Sequence, residues 1–74
     1  MTRKQMQTVV DAVNVQSDYY FEFLCDKDVN SEDKEVYRKD LSDLCIFLQE
    51  SEKKGFDISN TCYPLGRKVK ALSK

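Results

Sequence analysis

Apolar residues recur at helical spacing along three separate stretches of this chain, and that periodicity constrains its fold more than any other feature. The first stretch covers residues 4–25. Met6, Val10, Val13, Tyr20 and Leu24 share one face, with Val9 and Phe21 flanking it and Ser17 as its one polar interruption. Asp11, Asp18 and Glu22 collect on the opposite side, as an amphipathic helix requires. Tyr19-Tyr20-Phe21 and Phe23-Leu24-Cys25 also suit a strand by propensity. They end a longer helical pattern, and the segment is read as helix.

A short polar connection, Asp26 to Ser31, follows. Asn30 and Ser31 are good N-caps, and acids at 32, 33 and 35 suit the positive end of a helix dipole. The spacing predicts a second helix over 31–54, with Tyr37, Leu41, Leu44 and Leu48 as its stripe and Cys45 and Phe47 on the shoulders. Lys53 and Lys54 at its end and Gly55 just beyond form a stop signal. Phe56-Asp57-Ile58-Ser59 reads as a turn that tucks Phe56 or Ile58 back onto the pair.

Cys62, Leu65, Val69 and Leu72 repeat the spacing a third time. Pro64 is welcome in a first turn and pushes Tyr63 towards extended geometry, so a third helix starts near Tyr63 or Pro64. Gly66 weakens that helix by about 1 kcal/mol relative to Ala. Two long helices joined by a short loop lie antiparallel. The fold expected is therefore all-α: a small helical bundle, an antiparallel hairpin of two long helices plus a short C-terminal third helix, in one domain over 1–74.

Composition limits the chemistry. The chain has 74 residues and no His, so no His-based general base, catalytic dyad or imidazole metal site can be built. Two Gly and one Pro leave no room for a Gly-rich phosphate loop. So short a chain can barely offset the entropy of ordering, and a partner or second copy would help. Three cysteines, Cys25, Cys45 and Cys62, are odd in number and form no C-x-x-C pair. They are read as reduced, semi-buried thiols in a cytoplasmic protein rather than a disulfide framework. The basic N-terminus lacks the apolar run of a secretory signal. The longest apolar run, Leu44 to Leu48, falls far short of the roughly twenty residues a membrane span needs.

Three features are weighed as carriers of function. The first is surplus apolar surface. Val15 and Tyr19 lie far from the first stripe, and Ile46 lies opposite Tyr37 and Leu48. Either the third helix and the Phe56 turn cover them, or they form a second contact face. The second feature is charge segregation. Residues 1–57 hold eight basic and all thirteen acidic side chains, whereas 58–74 hold Arg67, Lys68, Lys70 and Lys74 and no acid.

In a helical C-terminus Tyr63, Arg67, Lys70 and Lys74 share one side, a ridge that could meet phosphates with Tyr63 stacking on a base. Its plainer reading is a basic tail that neutralises an acidic body, or a solvated helix face. A helix-turn-helix comparison fails because Pro64 and Gly66 fall where a recognition helix must be continuous.

The third feature is the acids: Asp11, Asp18 and Glu22 on the first helix, and Asp40 and Asp43 on the second. Without a D-x-D-x-D-G loop they are read as solvated faces, with no metal site and no cofactor. Cys62 near Arg67 and Lys68 is read as a structural thiol and not as a nucleophile. The expectation is a non-enzymatic protein-binding domain, an adaptor or inhibitor of a larger partner. It acts through helix surfaces at Val15, Tyr19 and Ile46, as a monomer or a homodimer. The alternative is a nucleic-acid-binding module using 63–74.

Overall fold

The structure, a computed structural model, describes residues 1–73 and contains α1 (Arg3–Cys25), α2 (Ser31–Lys53) and α3 (Leu65–Leu72). No strand occurs among the described residues. The expected architecture is present: α1 packs along α2, and α3 lies across α2.

Each helix boundary has a local cause. Thr2 caps α1 through a reciprocal box: its Oγ1 accepts the Gln5 N–H at 3.1 Å, and Gln5 Oε1 accepts the Thr2 N–H at 2.8 Å. Asp26 ends the helix and folds the connection, its carboxylate accepting the Asp28 N–H. Asn30 then caps α2 by accepting the Asp33 N–H at 2.8 Å. At the far end Gly55 takes φ +90°, and Gly55 N–H and Phe56 N–H return to the carbonyls of Glu52 and Ser51. This is a Schellman turn, which needs a left-handed residue after the cap. Pro64 opens α3 one residue later than the spacing indicates, so Tyr63 lies outside that helix. The Pro64 carbonyl accepts the N–H groups of Arg67 and Lys68.

The core follows the stripes in part: in α1 the buried line is Val10, Asn14, Ser17, Asp18 and Phe21, so the flanking Phe21 is buried while Met6, Val13, Tyr20 and Leu24 are half-buried. Val10 and Leu48 are wholly buried between α1 and α2. Further along, Phe21, Leu41 and Cys45 form a cluster that Leu65, Val69, Ala71 and Leu72 of α3 cover, together with Tyr63. Near the α1–α2 connection the Tyr37 ring stacks on Phe23 at 4.9 Å and tilts against Tyr20 at 5.8 Å. Phe56 is half-buried beneath the Arg3 guanidinium, which sits 4.3 Å from its ring centre.

Gly55 is where a side chain would be least tolerated. A Cβ there would force a left-handed L-residue and would meet Arg3 Nη2 at 3.1 Å. Gly55→Ala should cost about 1–2 kcal/mol of stability, read as a lower urea midpoint at unchanged slope.

Candidate functional site

The polar side of α1 is a clamp for the irregular segment that joins α2 to α3, hereafter the strap (residues 56–64). Gln7 pairs with the Asp57 peptide in both directions: its Oε1 accepts the Asp57 N–H at 3.0 Å and its Nε2 donates to the Asp57 carbonyl at 2.7 Å. Two turns on, buried Asn14 donates to the Ile58 carbonyl at 2.8 Å. Asp57 also folds the strap locally by accepting the Ser59 hydroxyl and N–H, and these bonds hold its own carboxyl below the usual range.

The clamp converges on Asp18. One carboxylate oxygen, Oδ2, accepts the Cys62 N–H at 2.8 Å. The other, Oδ1, accepts the Thr61 hydroxyl at 2.6 Å, the Tyr63 N–H at 3.3 Å and the Lys68 ammonium at 2.6 Å. Lys68 is 0% exposed. Its remaining donors go to Ser17 Oγ at 2.7 Å and Thr61 Oγ1 at 2.9 Å, and Ser17 passes its own proton to the Asn14 carbonyl at 2.6 Å. Every donor of the ammonium is thus used, the condition under which a charge can sit in a core.

Burial by itself would raise the Asp18 pKa. Hydrogen bonds from Lys68, Thr61 and the Cys62 N–H, together with the Lys68 charge, outweigh it and hold the carboxyl below its ordinary 3.8.

These positions correct two expectations. Lys68, expected with Arg67, Lys70 and Lys74 as a contact for nucleic acid, is withdrawn into the core, and Asp18 does not belong to a solvated acidic face. In α3 Lys68 falls with Leu65, Val69 and Leu72 on the inward side, and Ser17 interrupts the facing stripe of α1. A lysine and a serine on two inward faces were the available signal. The Lys68–Ser17 pair is buried and so offers no nucleophile to a substrate in this conformation.

Of the ridge itself, Arg67 and Lys70 stay exposed and Tyr63 is half-buried. The Tyr63 ring packs on Phe21 at 4.8 Å, and its hydroxyl donates to Glu22 at 3.1 Å, which raises the phenol pKa. The Arg67 guanidinium lies about 6 Å from both the Phe21 and Tyr63 ring centres. Glu22 and Asp26 border the same hollow. Lys70 is exposed beside Cys25 and Ala71, and Lys74 lies outside the described residues. Among the described residues Tyr63 and Arg67 adjoin, and Arg67 and Lys70 border a common hollow with Phe21 and Cys25.

The surplus apolar residues remain at the surface. Val15 is 44% exposed, Tyr19 55% and Ile46 52%, and neither α3 nor the Phe56 turn covers them. Val15 and Tyr19, one turn apart on α1, form one wall of a hollow of about 440 Å³ whose other wall is strap residues Ser59, Asn60, Thr61 and Cys62. Asp18 and Glu22 also line it. Ile46 is on α2 and lines none of this hollow. The strap's part in the hollow is invisible to helical periodicity.

The three cysteines form no disulfide, but only Cys45 is buried; Cys25 and Cys62 are exposed, a further correction to the sequence reading. Among the described residues no cluster of metal-ligating side chains occurs, and no helix is long and apolar enough to cross a membrane. No protein-family model, curated protein or solved structure matches the chain.

The Asp18 geometry sets a pH dependence. A carboxyl whose folded pKa lies below its unfolded value contributes stability that is fully present above the unfolded pKa. That contribution fades as pH falls below about 3.8 and through the lowered folded value. Urea titrations across this range should show the loss, and Asp18→Asn should flatten it. Lys68→Ala should cost about 3–5 kcal/mol by orphaning the carboxylate, whereas replacing both members, Asp18→Leu with Lys68→Met, should cost far less.

Proposed function

We propose that this chain is a small non-enzymatic protein-binding domain, an adaptor or inhibitor that acts on a larger partner through its helix surfaces. The observation that carries the reading is the hollow beside α1, where Val15 and Tyr19 stand exposed against a fixed strap wall. A folded chain gains nothing in its own stability by holding a tyrosine and a valine in water. The same pair against a partner supplies an apolar contact with a polar rim, the usual composition of an interface centre.

The strap supports this reading. Its backbone is clamped by Gln7, Asn14 and Asp18, so the wall is pre-organised and little ordering entropy is lost on binding. Ile46, on the second helix, offers a separate contact that a larger partner or a second copy could reach.

The test compares baits. Wild-type protein and the Tyr19→Lys and Ile46→Lys variants, each confirmed helical by circular dichroism, are used to capture partners from the native host, and light scattering reports self-association. Tyr19→Lys should weaken the captured complex, or the homodimer, by about tenfold or more. Identical captured species and identical solution mass for wild type and both variants would overturn the reading.

A further inference from the structure

The strap and α3 are pinned to α1 at several points, through Gln7, Asn14 and Ser17 and, at Tyr63, through Phe21 and Glu22. Beyond Ile58 four of the bonds gather at one carboxylate: Asp18 holds the Thr61 hydroxyl, the Cys62 and Tyr63 N–H groups and the Lys68 ammonium. The helices α1 and α2 pack on each other directly, and the stacking of Tyr37 on Phe23 and Tyr20 involves neither α3 nor the strap. The short helix α3 has no side-chain N-cap, carries Gly66 within its first turn and could not persist alone.

From this geometry we infer that Asp18 is a latch, and that the strap and α3 undock from the α1–α2 hairpin as one unit when it opens. The opening is local: the hairpin keeps its helices while Phe21, Leu41 and Cys45 lose their cover. Gly55, in its left-handed turn, is the pivot, because the Schellman turn ends the hairpin; the Gln7 and Asn14 bonds to the strap and the packing of α3 on α2 release together with Asp18. This inference goes beyond the binding role and stands whether or not the Tyr19 hollow has a partner.

The molecule contains its own reporter. Cys25 and Cys62 are exposed, whereas Cys45 lies in the cluster that α3 covers. Full-length protein is treated with iodoacetamide across a series of urea concentrations below the unfolding transition, with intact mass and peptide mapping following each thiol. Two cysteines should react at once and Cys45 slowly. Its opening should depend on urea much less steeply than global unfolding, because less surface is exposed. Asp18→Asn should accelerate Cys45 labelling about a hundredfold while the hairpin's helical circular dichroism persists. Thr61→Val, which removes one hydroxyl from the latch, should accelerate it about tenfold and guards against a collapsed Asp18 variant. If Cys45 opens with the same urea dependence as global unfolding, or if Thr61→Val leaves its labelling rate unchanged, the latch is overturned.

Discussion

The structure depends on one carboxylate. Asp18 is the point at which three parts of the chain are held together: its own helix α1, the strap that returns from α2, and α3 through Lys68. Desolvating a carboxylate and an ammonium together costs more than their attraction returns unless every remaining lone pair and proton is satisfied. Here that condition is met by Thr61, Ser17 and two backbone N–H groups. The pair thus fixes where the C-terminal third sits. Its contribution is one of register more than of raw stability.

That register decides what the surface offers. Clamped by Gln7, Asn14 and Asp18, the strap becomes a wall, and the apolar residues on the outer side of α1 become one side of a hollow instead of a bare stripe. The charge balance changes with it. Lys68 is neutralised by Asp18 inside the molecule, and the Arg67 guanidinium lies near the Phe21 and Tyr63 rings. A basic tail that answers an acidic body is realised most directly in this single ion pair.

Much of the scaffold was legible in the sequence because helices are local. The stripes of Val10, Phe21, Leu41 and Leu48, the Asn30 cap and the Gly55 stop act within a few residues of themselves, and each lies where its spacing indicates. The exposure of Val15, Tyr19 and Ile46 was legible for the same reason, since helical period alone places them away from the stripes. The strap was not legible. Its conformation is set by side chains more than forty residues away, and an irregular segment has no period to read.

By itself, the sequence determined the class of fold, the three helices, the Asn30 cap and the Gly55 stop, and the exclusion of histidine chemistry. All of these follow from residue type and short-range spacing. The tertiary structure alone decided that Lys68 and Asp18 leave the solvent, that Tyr63 becomes a packing residue, and that Val15 and Tyr19 share a hollow with the strap. The physical reason is the conditional nature of burial for a charge. A lysine on an inward face can reach water or be withdrawn from it, and the outcome depends on whether a carboxylate and two hydroxyls from distant parts of the chain arrive to meet it.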